Sequence, residues 1–342
     1  MAFHQIWGQD QALSILRQAL AHGRLAHAYL FVGADGIGKR LTALTLAKAM
    51  NCLAPPEPGE ACEQCSSCLK VNSSNHADVL LIEPDGDFIK IDQVRELQKQ
   101  LRFRPLEGGR RACILDAADR LNEAAANALL KTLEEPPAET HLFLITPRPH
   151  NLLPTILSRC QWIKFKPLSR SHIARILLSA SSFSEEQAFF YASLSGGSAS
   201  QALSLGDRLD FQKRLGWLQT FGDLFQKSPG EIFEICEQIT KEEEDPQDLL
   251  ELWKLWVRDL LVYKVDPEGK EDRFVNHDCL QEISAQAQLF SFDQLQDFFR
   301  HLSETQKFIS MKVNRQVALE TLMLEMKKGR SANQAVEIGM IR

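Results

Sequence analysis

The sequence predicts an α/β fold, in which a parallel sheet with flanking helices is followed by a region made of helices alone. Short apolar runs alternate with helical patterns as far as Phe165, and no strand pattern follows Pro167. Such alternation is typical of a doubly wound parallel sheet. The chain has 342 residues, of which 44% are hydrophobic and 25% charged, so it is long enough to build more than one hydrophobic core.

Five apolar runs, rich in β-branched and aromatic residues, are predicted to be the strands of this sheet. Between the second and third runs, apolar residues recur at helical spacing from Ile91 to Leu101. Asp92 lies near the start of this predicted helix, where a carboxylate suits the helix dipole. The predicted strands are Ala28–Val32, Val79–Ile82, Ala112–Leu115, Leu142–Ile145 and Trp162–Phe165.

The chain is predicted to form three domains. Residues 1–166 are the α/β domain, with an inserted module at about 51–71, and residues 167–206 are a small helical lid. Residues 207–342 are predicted to be an all-helical domain, because apolar residues recur there on one face of successive helices. One such face is formed by Leu249, Leu252, Trp253, Trp256 and Leu260.

Charge and hydropathy exclude some classes of function. The formal net charge of −6 gives no bulk attraction to nucleic acid, so any DNA contact has to be local. The segment from Met1 to Gly8 lacks the pattern of a signal peptide, and nowhere do about 18 uncharged apolar residues occur together. We therefore expect a cytoplasmic protein with no membrane partner.

A glycine-rich loop follows the first predicted strand and opens a predicted helix. Gly33, Gly36, Gly38 and Lys39 match a phosphate-binding loop, in which backbone N–H groups and a helix N-terminus converge on phosphate oxygens. Arg40 stands where this motif requires a Ser or Thr hydroxyl for Mg²⁺. The loop therefore predicts a degenerate nucleotide site, compatible with weak ATP binding but lacking a standard metal ligand.

The third predicted strand ends in Asp116, from where a carboxylate can hold Mg²⁺ through water. A simple strand-end cap is the alternative for this residue, but the order of the two motifs along the chain favours the metal role. The next residue, Ala117, has no carboxylate to polarise an attacking water. Because general-base assistance typically contributes about 10²–10⁴ in rate, little or no ATP hydrolysis is predicted.

The eight cysteines fall into two groups. Cys52, Cys62, Cys65 and Cys68 follow the spacing Cys-x9-Cys-x2-Cys-x2-Cys, which predicts a structural Zn²⁺ bound by four thiolates. Packing cysteines or a redox pair are the alternatives; the polar segment disfavours the first, and the fourth cysteine disfavours the second. The others lie in apolar contexts that predict core positions, and they are Cys113, Cys160, Cys236 and Cys279.

The triplet Ser158-Arg159-Cys160 lies between the fourth and fifth predicted strands. On these residues alone, Arg159 is more typical of a surface residue that compensates a helix dipole. The alternative is an arginine donated in trans, which stabilises the charge on the γ-phosphate in a neighbouring ATPase site.

Taken together, these motifs resemble the clamp-loader branch of AAA+ proteins. This family includes the gamma/tau and delta-prime subunits of bacterial DNA polymerase III and the eukaryotic replication factor C subunits. The resemblance covers about the first 205 residues, and Asn314–Met326 resembles the last helix of a collar domain. Besides the phosphate loop and Asp116, it is carried by His27-Ala-Tyr-Leu-Phe31, Asn127–Pro136 and the Ser158–Cys160 triplet.

The resemblance implies an AAA+ P-loop domain, a helical lid and a collar for oligomerisation, and it implies that Arg159 is an arginine finger. Arg40, Ala117 and Ser200 replace the metal-binding hydroxyl, the base and the sensor arginine of motor subunits. These departures favour a non-hydrolysing subunit of the delta-prime kind. The implied partners are gamma/tau and delta in a hetero-pentamer, a sliding clamp and primer-template DNA. Both gamma/tau and delta-prime carry a similar zinc module.

Two other functions remain open. An active motor ATPase of the gamma/tau type would tolerate Arg40 and Ala117, and the isolated chain would then turn over ATP. A zinc-dependent nucleic-acid-binding protein with a vestigial ATPase fold would bind duplex DNA without partners. The acidic net charge and the absence of an aromatic and basic cluster near Cys62 argue against the second function.

Overall fold

The computed structural model describes residues 2–107, 109–180, 183–208, 211–241, 246–267, 273–311 and 313–339. The chain divides into two compact units. The first comprises Met1–Phe183 and Ser195–Leu203, and the second comprises Ser184–Leu194 and Ser204–Arg342.

The first unit contains a five-stranded parallel sheet, made of β1 (Ala28–Val32), β2 (Val79–Ile82), β3 (Arg111–Leu115), β4 (Thr140–Thr146) and β5 (Gln161–Lys164). The strand order is β2-β3-β4-β1-β5. Strand β1 pairs on both sides, with Tyr29 opposite Phe143 of β4 and Gln161 of β5. The five predicted strands and their parallel arrangement are confirmed.

The helices of this unit are α1 (Asp10–Ala21), α2 (Lys39–Met50), α3 (Ser66–Asn72), α4 (Ile91–Leu101), α5 (Glu123–Glu134), α6 (Pro154–Leu157) and α7 (Arg170–Ser179), with 3₁₀ turns at Phe3–Gln5, Ala118–Arg120 and Pro149–Asn151. Helix α4 has the predicted bounds. Helix α5 begins after Asn122, whose side chain accepts a hydrogen bond from the Ala125 N–H, and α7 is capped in the same way by Ser169.

Both faces of the sheet are buried, because strands that lie between helices alternate apolar residues toward each layer. On one face Tyr29, Phe31 and Phe143 pack with apolar residues of α1 and α2. The rings of Tyr29 and Phe143 stack with centroids 5.7 Å apart. On the other face Leu30 and Leu144 pack with apolar residues of α4 and α5. The carboxyl ends of the strands are thereby held at one edge of the sheet.

The second unit is helical in its described residues, as predicted for the C-terminal part of the chain. Trp253 and Trp256 lie at the centre of its core. The three-domain division stays a prediction, and parts of the predicted domain 207–342 lie outside the described residues. The helices are α8 (Glu185–Leu194), α9 (Ala199–Arg208, through Leu203 in the first unit), α10 (Phe211–Asp223), α11 (Pro229–Lys241), α12 (Pro246–Val265), α13 (Leu280–Leu289), α14 (Phe292–Ser310) and α15 (Arg315–Gly339), with a 3₁₀ turn at His277–Cys279.

Within the part of the chain that the structure describes, no helix combines the length and the apolar character needed to cross a bilayer.

Candidate functional site

The glycine-rich loop connects β1 to the N-terminus of α2 at the carboxyl edge of the sheet. Gly38 precedes α2 with φ 98°, a left-handed conformation that glycine adopts without strain. Gly36 has φ 72°, and a Cβ at this position would lie 1.8 Å from Ser200 Oγ, so no side chain fits. The loop therefore has the backbone shape in which N–H groups at a helix N-terminus can face an anion.

Lys39 is the first residue of α2 and is only 5% exposed. Its Nζ donates to the carbonyl oxygens of Gly33 and Ala34 and lies 3.6 Å from Asp35 Oδ1. Burial lowers the pKa of Lys39, and the Asp35 carboxylate opposes part of that shift. The ammonium group is thus turned onto its own loop, and it would have to exchange these carbonyl partners for phosphate oxygens on binding a nucleotide.

The guanidinium group of Arg40 occupies the metal side of the loop. Its Nη1 lies 3.3 Å from Asp116 Oδ2 and also donates to Glu83 Oε1. Glu83 follows β2 and Asp116 follows β3, so two neighbouring strands bring these carboxylates together. A fixed side-chain cation therefore neutralises the carboxylate that a P-loop ATPase uses for Mg²⁺. The sequence marked Arg40 and Asp116 separately, but it did not mark Glu83 or the contact.

No carboxylate replaces the missing base next to Asp116. Ala117 has φ 51° and ψ 51°, a left-handed conformation that costs a residue with a Cβ about 1–2 kcal/mol. The nearest acidic residue along the chain, Asp119, is buried and accepts hydrogen bonds from Thr146 Oγ1 at 3.0 Å and from Arg148 Nε at 3.0 Å. The Asp119 carboxylate is therefore committed to linking the ends of β3 and β4.

A cavity of about 1000 Å³ adjoins the loop. Lys39, Arg40 and Asp116 are charged residues of its lining. A lining that combines charged and apolar side chains suits a ligand with an anionic group on an apolar body. The apolar side chains of the lining include Ile6, Trp7, Leu168 and Ile176.

Two segments distant in sequence hold the glycine-rich loop in place. Gln9 Nε2 donates to the carbonyl oxygens of Ile37 and Lys166 at 3.1 and 2.7 Å. The Ala199 N–H donates to the carbonyl oxygen of Gly36 at 2.9 Å. Gln9 could not be identified from the sequence, because a single polar residue ahead of a helix carries no period and belongs to no motif.

Arg159 lies on the surface just after α6, and its side chain is 34% exposed. Nη1 donates to the Thr155 carbonyl oxygen at 2.9 Å, and Nη2 lies 2.7 Å from the carboxylate of Glu134, the last residue of α5. Cys160 beside it is buried, and burial raises the pKa of its thiol to about 12. The contact with Thr155 is what a helix-end arginine makes, whereas the exposed guanidinium is what a trans-acting finger needs.

The four clustered cysteines are brought together by the fold. Their Sγ atoms all lie within 4.8 Å of one another, and those of Cys62 and Cys68 are 3.9 Å apart. Thiolates around a tetrahedral Zn²⁺ lie about 3.8 Å from one another when the Zn–S distance is about 2.3 Å. The N–H groups of Cys62 and Cys65 donate to Sγ of Cys52 and Cys62, both at 3.3 Å. This donor set fits one tetrahedral metal ion.

The thiols of the cluster differ in acidity. Burial acts to raise the pKa of Cys65, but hydrogen bonds from the N–H groups of Cys68 and Leu53 outweigh it and lower that pKa to about 6. Burial raises the pKa of Cys52 and of Cys68. Cys65 would supply an acidic thiol to a metal ion bound here, and the cation would favour the thiolate form of all four cysteines. The four cysteines predicted to lie in the core are buried, and they are Cys113, Cys160, Cys236 and Cys279.

Comparison with known proteins identifies a family. The family described as DNA polymerase III, delta subunit, matches residues 8–169, and the one described as its C-terminal part matches residues 188–328. The chain is 33% identical over 326 residues to DNA polymerase III subunit delta' of Bacillus subtilis strain 168, covering 94% of this chain and 97% of that relative. It is 30% identical over 308 residues to subunit tau of the same strain, covering 83% of this chain and 54% of tau.

Solved structures with low sequence identity also align with the chain. A gamma subunit-related protein of Thermotoga maritima aligns over 93% of this chain and 99% of its own, at 20% identity and a TM-score of 0.46. The clamp loader delta protein of Bacillus subtilis aligns over 92% of this chain and 99% of its own, at 14% identity and a TM-score of 0.35. The family rests on the match to subunit delta', which spans nearly the whole of both chains. The chain therefore belongs to the delta-prime family of DNA polymerase III clamp-loader subunits.

Proposed function

We propose that this chain is a clamp-loader subunit that does not hydrolyse ATP itself and that donates Arg159 to the ATP site of a neighbouring subunit. In this role it helps a loader complex to place a sliding clamp on primer-template DNA. The observation that carries the proposal is the contact of Arg40 with Asp116 at 3.3 Å, because it puts a cation where hydrolysis requires a metal. Family membership supplies the setting, a complex with ATPase subunits.

Hydrolysis at this chain's own loop lacks its central parts. Phosphoryl transfer in P-loop ATPases depends on Mg²⁺ held by the loop hydroxyl and a strand-end carboxylate. Here Arg40 takes the place of the hydroxyl residue, and its guanidinium group pairs with the carboxylate of Asp116. Two like unit charges 4 Å apart repel by about 4 kcal/mol at an effective dielectric constant of about 20, and a divalent ion would be repelled more strongly. Because the side chains of Arg40 and Asp116 are 43% and 26% exposed, solvent weakens this repulsion, and the guanidinium group competes with Mg²⁺ for Asp116.

Arg159 has the chemistry and the exposure for action in trans. A planar guanidinium group offers two parallel N–H donors to phosphate oxygens, and one supplied by a neighbouring protein stabilises the charge that develops on the γ-phosphate. In this chain Glu134 and the Thr155 carbonyl oxygen hold the guanidinium group at the surface. Exchange of the exposed Glu134 contact for a phosphate contact costs little, since surface ion pairs contribute only about 0–1 kcal/mol.

The proposed partners are the gamma/tau and delta subunits in a hetero-pentamer, together with the sliding clamp and primer-template DNA. The test is reconstitution: the tagged chain is mixed with gamma/tau and delta subunits of its own organism and analysed by size-exclusion chromatography with light scattering. We expect one copy of the chain in a five-subunit complex that loads the clamp on primed DNA. Elution of the chain alone, with all activity in the remaining subunits, contradicts the proposal.

We also propose that Cys52, Cys62, Cys65 and Cys68 hold one structural Zn²⁺. Support comes from the Sγ spacing, from the tetrahedral donor number and from the acidity of Cys65. With four protein ligands the ion has no open position for substrate, so it would organise the chain and take no part in hydrolysis. For the glycine-rich loop we propose weak nucleotide binding, in which Lys39 and the backbone N–H groups contact the phosphates without Mg²⁺.

The isolated chain is expected to show no ATP hydrolysis above the uncatalysed rate, since both the metal ligand and the base are missing. The substitution Ala117→Glu should not rescue turnover, because Arg40 still contacts Asp116 and the hydroxyl ligand for Mg²⁺ is still missing. Phosphate release from ATP by the purified chain and by this variant checks the expectation. Turnover comparable with that of gamma/tau, abolished by a Lys39→Ala change, would instead support a motor ATPase.

The substitution Arg40→Ser is expected to make nucleotide binding depend on Mg²⁺. The change frees Asp116 and restores a hydroxyl ligand for Mg²⁺. Mg²⁺ should then tighten ATP binding by about tenfold or more, because one added charge-assisted contact contributes about 1.5–3 kcal/mol. Calorimetric titration with ATP, in Mg²⁺ and in EDTA, measures the effect. Arg40→Ala is the matched control, because it frees Asp116 without supplying the hydroxyl. A wild-type chain that already requires Mg²⁺ for tight binding contradicts this account of Arg40.

A further inference from the structure

The cysteine module is connected to an exposed loop that no sequence motif marks. This loop, residues 102–107, follows α4 and precedes β3. It displays two large apolar side chains, Phe103 at 70% exposed and Leu106 at 75% exposed. Whereas these two side chains are exposed, the backbone of the loop forms hydrogen bonds with buried residues of the first unit.

A buried ion pair holds the backbone of the 102–107 loop. Asp78 is fully buried, and its carboxylate oxygens accept hydrogen bonds from the N–H groups of Leu106 at 2.9 Å and Glu107 at 2.8 Å. Arg111 Nη2 lies 3.2 Å from the same carboxylate, while Arg111 Nη1 donates to the Phe103 carbonyl oxygen at 2.9 Å. The loop conformation therefore depends on the position of Asp78, because the cost of leaving a buried carboxylate without its donors is high.

The position of Asp78 is tied in turn to the cysteine module. The Asp78 N–H donates to His76 Nδ1 at 3.1 Å, and His76 Nε2 lies 3.1 Å from Ser67 Oγ. Since Nδ1 is an acceptor here, the buried imidazole carries its proton on Nε2 and donates it to the Ser67 hydroxyl. Ser67 lies in α3 directly before Cys68. The Ser67, His76 and Asp78 contacts thus form one continuous path from the cysteine cluster to the loop.

A second connection runs along the surface. Lys70, also in α3, has its Nζ 2.8 Å from Glu107 Oε2. This ion pair lowers the pKa of Glu107. Because both groups are partly exposed, the contact is weaker than the buried path and supports it.

We propose that the cysteine module sets the conformation of the 102–107 loop, chiefly through the buried contacts of Ser67, His76 and Asp78. Helix α3 begins immediately after Cys65 and contains Cys68, so thiolates fixed around one metal ion fix the helix that carries Ser67 and Lys70. The module is then a support for the display of Phe103 and Leu106, which gives the proposed metal a structural purpose. The arginine finger plays no part in this inference.

The test is amide hydrogen exchange of the full chain, followed by mass spectrometry on peptides that cover residues 102–107. In Ser67→Ala, His76 Nε2 loses its hydrogen bond with the Ser67 hydroxyl and faces the Glu107 carboxylate 3.9 Å away, and in Ser67→Ala/Lys70→Ala both side-chain contacts from α3 are removed. We expect exchange of the Leu106 and Glu107 amides to accelerate by about 5- to 100-fold, as expected when a buried polar group is left unsatisfied. Ser73→Ala, at the end of α3, is the control, since the Ser73 hydroxyl bonds only to nearby carbonyl oxygens of α3.

An unchanged exchange rate at 102–107 in the double variant overturns the proposal. Exchange in strand β4 reports whether the fold is intact. If a variant also accelerates exchange in β4, the proposal is tested instead by adding a metal chelator to the wild-type chain. A chelator that exposes residues 52–72 and also accelerates the loop supports the proposal, and one that exposes 52–72 while the loop keeps its rate overturns it. If the chelator affects neither segment, both the proposed Zn²⁺ and the proposed coupling to the loop are contradicted.

Discussion

A reconstituted clamp loader that carries Arg159→Ala is expected to lose fast ATP hydrolysis at one site of the ring. In systems that depend on an arginine supplied in trans, its loss costs about 10³–10⁵ in rate at the dependent site. Because the other sites keep their own arginines, the overall steady-state rate should fall only in part, unless the ring fires its sites in strict order. In that case clamp loading should stall altogether.

The first turnover of ATP by the loader, measured as a burst, distinguishes the loss of one site from the arrest of the whole ring. Rapid-quench measurement of ATP hydrolysis, with clamp and primed DNA present, should show a burst amplitude that is lower by about one ATP per complex than that of the wild-type loader. Arg159→Lys should rescue poorly, because an ammonium group cannot reproduce the planar pair of donors. Arg300→Ala is the matched control: this exposed arginine is also paired with a carboxylate at 2.7 Å, and its loss should leave the burst unchanged.

Fold and assembly should be unaffected by Arg159→Ala. The side chain is partly exposed and its ion pair with Glu134 is at the surface, so the free energy of unfolding should change by about 1 kcal/mol or less. Thermal unfolding and size-exclusion chromatography of the assembled loader check this. A loader that assembles normally and hydrolyses ATP at every site at the full rate would show that Arg159 is only a helix-end residue bonded to Thr155.

The second large effect concerns the metal. Purified under reducing conditions, the chain is expected to contain one Zn²⁺, and Cys65→Ser is expected to lose it. Structural zinc in small modules binds with an apparent free energy of about 10–16 kcal/mol at neutral pH, so removal of one of four thiolates should release the ion and loosen residues 51–71. The sheet should stay folded, because its core is built from residues outside this module. Elemental analysis and hydrogen exchange measure both effects.

Cys279→Ala is the matched control, since this buried cysteine belongs to the second unit and is not one of the four clustered cysteines. It should keep one zinc even if the variant is less stable. Uptake of Zn²⁺ by the metal-free chain should weaken as the pH falls, because protons compete with the metal for the thiols, and more steeply below about 6, where the Cys65 thiolate is protonated as well. Absence of zinc from freshly reduced wild-type protein, or global unfolding of Cys65→Ser, contradicts an independent metal module.

Local sequence patterns were enough to predict the strands of this protein and the chemical type of its sites. Strand patterns of apolar residues identified all five strands, and helical spacing gave α4 its bounds, because burial on a fixed face imposes a local period on the chain. The same holds for the phosphate loop and the four cysteines, whose members lie close together along the chain. Residues so close along the chain can reach one ligand, so the cluster of four Sγ atoms could be predicted from the spacing of the cysteines.

The contacts that these residues make could not be predicted from local patterns, because they depend on the packing of the sheet. Arg40 meets Asp116 across 76 positions of sequence and Glu83 across 43, and no local pattern links them. The same is true of Arg159 with Glu134 and of the path from Ser67 to the 102–107 loop. Such contacts depend on strand order, which places the ends of β2 and β3 side by side at the edge where α2 begins. Side chains that interact once, without a period, become visible only when the packing of the sheet has brought their backbones together.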